Sequence, residues 1–102
     1  FSAAVRACEV VDDCMGKVVD KCIKNNYSII IISDHGNSDV MINIDGSANT
    51  AHTTNPVPII VIDKKVQKVQ KVEDGILADI APTVLKLLDI KQPKLMTGKI
   101  LI

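Results

Sequence analysis

Four consecutive isoleucines, Ile29 to Ile32, constrain the fold of this chain more than any other feature. β-Branched side chains pack well on a pleated sheet, and a run without a polar position suits a strand buried on both faces. The run predicts a core strand over residues 28–33, and Asp34 and His35 follow it directly. Because ligands of open α/β sheets bind beyond the carboxyl ends of the strands, we expect the chemistry of the chain at these two residues.

The alternative for this stretch is a polar turn that follows a core strand and has no chemical role. Gly36 and Asn37 come next, and both residue types tolerate positive φ, which allows a sharp turn. A tetrapeptide motif carries a real risk of a false match. The two interpretations therefore stay open on these residues alone.

Composition excludes several classes of function. Twelve basic residues balance twelve acidic ones, and Phe1 and Tyr27 are the only aromatic residues, so we expect neither nucleic acid nor an anionic membrane as a partner. A length of 102 residues predicts one domain or a piece of one. The odd set of three cysteines has no metal-type spacing and favours a reducing, cytoplasmic setting.

Residues 2–25 are predicted to form an amphipathic helix that ends at Asn25 and Asn26. Cys8 and Cys22 lie on its apolar stripe, so we interpret them as core residues rather than redox groups, whereas Cys14 lies off the stripe. The stripe consists of Val5, Cys8, Val11, Met15, Val18, Cys22 and Ile23.

Alternating apolar residues over 40–44 predict a half-buried strand, and Asp45-Gly46 predicts the turn of a β-hairpin. Residues 57–62 are predicted to form a second core strand, with Pro58 at its start or on an edge because proline has no N–H to donate. The charged segment 63–74 is interpreted as a solvated connection, the alternative being a basic binding stripe.

The last part of the chain is predicted to contain a second helix over residues 79–90, with Asp79 as its N-cap and Pro82 in its first turn. The tail, residues 92–102, ends in Ile-Leu-Ile and is expected to pack against another part of the chain. Together these elements predict an α/β fold in which core strands are flanked by helices.

His35 and His52 are the only histidines, one after the first core strand and one before the second. If the two strands are neighbours, their loops bring Asp34, His35 and His52 together, although a long loop must then carry His52 back. One carboxylate and two imidazoles form a partial set of ligands for Mn²⁺ or Zn²⁺. For each histidine alone, the alternative is a hydrogen-bonded loop residue. No residue is predicted to be a catalytic nucleophile.

Four motifs in fixed order identify a family resemblance that covers nearly all 102 residues. They are SDHGN at 33–37, NTAHTTNPVP at 49–58, GILADIAPT at 75–83 and MTGK at 96–99. Together they closely resemble the C-terminal part of the cofactor-independent phosphoglycerate mutases, which belong to the alkaline phosphatase superfamily. The resemblance implies that residues 1–102 are the C-terminal part of a metal-binding, phosphatase-like domain with a β-hairpin excursion.

The resemblance also implies a function for the whole protein: interconversion of 3-phosphoglycerate and 2-phosphoglycerate through a phosphoserine intermediate, with two Mn²⁺ ions. Zn²⁺, Co²⁺ and Mg²⁺ are the alternative metals. By resemblance, Asp34 and His35 ligate the metal next to the nucleophilic serine, and His52 ligates the other metal. The family often has a histidine where this chain has Asn49.

The serine, the upstream metal ligands and the basic residues that hold phosphoglycerate are not found in these 102 residues. The chain is therefore predicted to be inactive alone, and to self-associate through apolar surface that the missing sheet covers. One alternative is another phosphotransferase or hydrolase of the superfamily, such as a phosphopentomutase, sulfatase or phosphodiesterase. The other is a non-catalytic binding module.

Overall fold

The computed structural model describes residues 1–64 and 71–102. In this part of the chain the elements follow the order α1 (Ser2–Lys24), β1 (Ile29–Ile32), β2 (Ile59–Ile62), a 3₁₀ turn (Leu77–Asp79) and α2 (Ile80–Leu87). The α/β class agrees with the prediction. Within the described residues, no helix is long and apolar enough to cross a membrane.

The described strands form a two-stranded antiparallel sheet, in which Ile29 lies opposite Ile62 and Ile32 lies opposite Ile59. The isoleucine run therefore forms a strand, as predicted, but none of its four residues is buried and Ile32 is exposed, so the prediction of a strand buried on both faces is wrong for this structure. β2 begins one residue after Pro58, since a proline inside the strand would remove a donor from the ladder. Antiparallel pairing places the end of β1 and the start of β2 at the same edge of the sheet.

Helix α1 has nearly the predicted length and ends as predicted, with Asn26 in the left-handed region at φ 61°. None of its residues, all of which are described, is buried. Cys8 and Cys14 are exposed and Cys22 is half-buried. The prediction that Cys8 is a core residue is wrong for this structure, because no described element covers that part of the stripe. Self-association through such surface stays a prediction.

Residues 40–49, here called the excursion, lie between the two strands and differ from the predicted hairpin. Residues 40–44 do not form a strand, and a single bridge joins Ile42 to Ala48 in this described segment. Ile44 is fully exposed, so no second layer buries the alternating face that would stabilise a strand. The predicted turn does form, with Gly46 at φ +82° and an Asp45 oxygen accepting hydrogen bonds from the N–H and hydroxyl of Ser47.

Residues 75–83 and 98–101, here called the Asp79 clasp, contain the most buried side chains of the described chain. Leu101 is 2% exposed, Asp79 4% and Thr83 0%. The predicted packing of the tail is thus confirmed. Gly98 passes so close to the carbonyl of Ala78 that a β-carbon would overlap it.

Asp79 lies at the N-cap position of α2, as predicted, but its carboxylate makes no capping hydrogen bond to that helix. Instead Oδ1 accepts from the N–H of Lys99 at 2.8 Å and Oδ2 accepts from the N–H of Ile76 at 2.9 Å. Helix α2 is shorter than the predicted 79–90. Of the predicted connection 63–74, residues 65–70 lie outside the described part of the chain.

Candidate metal centre

The turn after β1 places Asp34 and His35 at the edge of the sheet. Oδ1 of Asp34 lies 3.5 Å from Nε2 of His35. The Asp34 side chain is 82% exposed, whereas that of His35 is 38% exposed. The carboxylate is therefore open to an incoming cation, while the imidazole is partly fixed by its surroundings.

Each ring nitrogen of His35 faces an acceptor. Nδ1 lies 3.2 Å from the carbonyl oxygen of Gly36, and Nε2 lies 3.5 Å from Oδ1 of Asp34. In the tautomer with its proton on Nδ1, the ring donates to the Gly36 carbonyl and has its lone pair on Nε2. A backbone carbonyl that accepts from one ring nitrogen is a common partner of metal-binding histidines.

His52 lies directly beside His35, with 3.7 Å between the ring centroids and 47° between the ring planes. The sequence predicted that the two loops meet, and the structure brings all three candidate residues, Asp34, His35 and His52, to one edge. The expected need for a long return loop does not arise. Because the strands are antiparallel, the chain enters β2 at the edge where it leaves β1.

The contact between the histidines depends on two segments, residues 34–39 and 50–55, here called the site loops. Gly36 and Thr53 exchange both backbone hydrogen bonds, at 2.8 and 3.2 Å. A β-carbon at position 36 would overlap the Thr53 hydroxyl, so glycine is required for this approach.

Two side chains that were not predicted as site residues also connect the site loops by hydrogen bonds. Asn37 donates to the carbonyls of Thr50 and Ala51, and Asp39 accepts from Thr53 and Asn55. Their only signal in the sequence is a set of short polar residues around two histidines. Asn49, at the position where the family often has histidine, instead accepts a hydrogen bond from the N–H of Ala51.

A cavity of about 600 Å³ lies between the end of the sheet and the Asp79 clasp. Asp34 and His35 line it, together with Glu73 and Asp74. No lysine or arginine is among its described lining residues, most of which are apolar, and His52 is not one of them. The three carboxylates suit a cation better than an anion.

The three candidate residues supply donors of the kind that a divalent metal binds. One carboxylate and two imidazoles are suitable ligands for Mn²⁺ or Zn²⁺. The described residues contain no group of three such side chains already gathered for a metal. The residues therefore fit a metal in chemical type but are not gathered into a three-ligand site, and their role as ligands stays a prediction.

Comparison with known proteins gives the same family relationship as the motifs. The model of the metalloenzyme superfamily matches residues 1–92. A 2,3-bisphosphoglycerate-independent phosphoglycerate mutase of Flavobacterium johnsoniae is 57% identical over 97 residues, which are 95% of this chain and 19% of the relative. The corresponding mutase of Parabacteroides distasonis is 49% identical over the whole chain and 20% of the relative.

The similarity thus spans about one fifth of the length of these curated relatives. Within the chain it extends over both site loops and both strands of the sheet. This chain belongs to the metalloenzyme superfamily.

Proposed function

We propose that this chain is part of a 2,3-bisphosphoglycerate-independent phosphoglycerate mutase, in which Asp34, His35 and His52 supply part of a two-metal site for Mn²⁺. The observation that carries this proposal is the meeting of these three residues at one edge of the sheet. High identity to proteins that bear this name supports it.

When bound, a divalent metal polarises a phosphoryl oxygen or lowers the pKa of a bound water or hydroxyl group. The role of this chain is to supply donor atoms for the metal. His35 presents Nε2 in the tautomer whose Nδ1 proton is donated to the Gly36 carbonyl. Asp34 adds a negative charge that offsets the charge of the cation.

The chain alone is proposed to be inactive. Phosphoglycerate carries a carboxylate and a phosphate, and its recognition needs cationic side chains or metals. The described lining of the cavity has the carboxylates of Asp34, Glu73 and Asp74 but no lysine or arginine. The substrate-holding residues of the proposed mutase therefore come from outside these residues.

A metal titration of the 102-residue chain tests the ligand assignment. Isothermal titration with Mn²⁺ is expected to show binding that is weakened by His35→Ala and by His52→Ala. Asp45→Ala is the matched control, because it removes an exposed carboxylate from the turn of the excursion rather than from the site loops. Equal affinities in all four proteins would contradict the assignment.

A chimera tests the proposed activity. The segment of the Flavobacterium johnsoniae mutase that aligns with this chain is replaced by this chain, and conversion of 3-phosphoglycerate is assayed. Activity is expected in the chimera, is expected to be lost with His35→Ala or His52→Ala, and is expected to be absent from the 102-residue chain alone. A folded, Mn²⁺-binding chimera without mutase activity would instead favour another phosphotransferase or a binding module.

A further inference from the structure

The second site loop contains His52 but takes no part in the described sheet. It lies between the excursion and β2, and its backbone ladder to the first site loop consists of the Gly36–Thr53 bridge. One bridge is a weak constraint on the direction in which a neighbouring side chain points. The contact of 3.7 Å between the rings of His35 and His52 therefore needs further support.

Two side chains of the first site loop provide that support on both sides of His52. Before it, Nδ2 of Asn37 donates to the carbonyls of Thr50 and Ala51, each at 3.2 Å. After it, Oδ2 of Asp39 accepts from the hydroxyl of Thr53 at 2.8 Å and from Nδ2 of Asn55 at 2.5 Å. These four hydrogen bonds bracket His52 and tie its loop to the turn that contains His35.

We propose that Asn37 and Asp39 are positioning residues that fix the separation of the His35 and His52 imidazoles. This inference rests on the proposed function, because it gives the two rings a shared task in binding divalent metal. Neither Asn37 nor Asp39 lines the cavity, so each acts through the loop that contains His52.

The geometry of Asp39 separates the role of its oxygen from the role of its charge. Both of its donors from the second site loop bind the same oxygen, Oδ2. An asparagine with its oxygen at that place can accept both hydrogen bonds without the charge. Asp39→Asn is therefore expected to preserve the position of the loop, whereas Asp39→Ala removes both contacts.

The first readout needs no metal. The chain has two histidines, so the ring protons of each are readily assigned by NMR. A nuclear Overhauser effect between the rings is expected in the original chain and in Asp39→Asn, and is expected to be lost or strongly reduced in Asp39→Ala and Asn37→Ala. The control Asp45→Ala removes a carboxylate that also accepts two hydrogen bonds, and it is expected to keep the effect.

The second readout is the affinity for Mn²⁺, measured by calorimetry on the same proteins. Loss of a group that orients a metal ligand typically weakens metal binding by about 10–100-fold, and we expect at least about tenfold for Asp39→Ala. Asp39→Asn and Asp45→Ala are expected to stay within about threefold of the original chain, since they keep the orienting contacts. Thermal unfolding accompanies each measurement, so that a general loss of structure is recognised.

The outcomes separate this inference from the proposed function. If the original chain binds no Mn²⁺, the metal assignment fails, and the Overhauser effects still decide whether Asn37 and Asp39 position His52. If Asp39→Ala matches Asp45→Ala in ring contact or, when the original chain binds Mn²⁺, in affinity, the positioning role is overturned. Should Asp39→Ala unfold, Thr53→Val decides in its place, because it removes one donor to Asp39 and keeps the shape of the side chain and the backbone bridge.

Discussion

Two aspartates in this chain each connect two segments through hydrogen bonds, but one is buried and the other is exposed. Asp79 joins the two segments of its clasp by accepting two hydrogen bonds, and Asp39 joins the two site loops by accepting two. Asp79 is 4% exposed, whereas Asp39 is exposed to solvent. Water can replace the partners of an exposed carboxylate but not those of a buried one.

The two aspartates also differ in how they use their oxygens. Asp79 uses both, one for each backbone N–H, while Asp39 uses Oδ2 for both of its side-chain donors. We therefore expect the clasp to maintain the fold and the site loops to set a local geometry. The same substitution, aspartate to asparagine, should therefore lower the stability in the clasp and leave it unchanged in the site loops.

The largest expected effect is the loss of stability in Asp79→Asn. An amide has one oxygen, so its NH₂ group must face the N–H of either Ile76 or Lys99, donor against donor. Urea unfolding is expected to show a clear fall in the free energy of unfolding. Asp39→Asn is expected to leave the unfolding midpoint unchanged, and a similar fall in both variants would remove the distinction between the regions.

Acid should produce the same change at Asp79 without mutation. Hydrogen bonds from the N–H groups of Ile76 and then of Lys99 lower the pKa of Asp79 from its ordinary 3.8. A carboxyl whose pKa is lower in the folded state stabilises the fold above its unfolded pKa, and this contribution is lost as the pH falls through the folded pKa. Stability should therefore decline with acid below about pH 4.

This decline of stability in acid is measured by urea unfolding at a series of pH values. Asp79→Asn lacks the titrating group, so its stability is expected to fall less steeply and to approach that of the original chain at low pH. The hydrogen bonds from Thr53 and Asn55 also lower the pKa of Asp39, but this carboxylate is exposed. Asp39→Asn should consequently lose stability in acid almost as steeply as the original chain. Parallel curves of stability against pH for Asp79→Asn and the original chain would contradict the role of Asp79.

A smaller effect is expected for Thr83→Val within the same clasp. The Thr83 hydroxyl donates to the carbonyl of Asp79 at 2.7 Å and accepts from the N–H of Leu101 at 3.1 Å. Valine preserves the shape and leaves both buried backbone groups without that partner, at a cost of about 1–3 kcal/mol. Thermal or urea unfolding measures the loss, with Thr50→Val in the exposed site loop as the matched control.

The sequence was sufficient to predict the elements whose signal is local. The isoleucine run predicted β1, the helical period of apolar residues predicted α1, and Asp45-Gly46 predicted the turn of the excursion. The approach of His52 to His35 was predicted on the condition that the two strands are neighbours, although with a long return loop that antiparallel pairing makes unnecessary. These features depend on nearest neighbours in the chain or on one assumed pairing.

What could not be predicted depends on contacts distant in sequence. Asp79 fits the pattern of an N-cap, yet its carboxylate binds the N–H of Lys99, twenty residues away. Residues 40–44 alternate like a strand, but a strand needs a partner and a covering layer, and Ile44 is fully exposed. Asp39 was missed for the same reason, since its partners lie beyond the excursion.

The smallest expected effect concerns the turn of the excursion and asks how far the site loops are independent of it. Gly46 has φ +82°, a conformation that costs a residue with a β-carbon about 1 kcal/mol, and no atom surrounds the place where that carbon would lie. Gly46→Ala should therefore loosen the turn and lower the unfolding midpoint only slightly.

The ring contact between His35 and His52 is expected to survive Gly46→Ala, because the hydrogen bonds of Asn37 and Asp39 reach the second site loop without passing through the turn. NMR of the two histidines measures this directly, and Asp45→Ala serves as a second perturbation of the same turn. Loss of the ring contact in both variants would show that the excursion and the site loops form one unit. The contrast would then lie between the Asp79 clasp and the whole segment from residue 34 to residue 55.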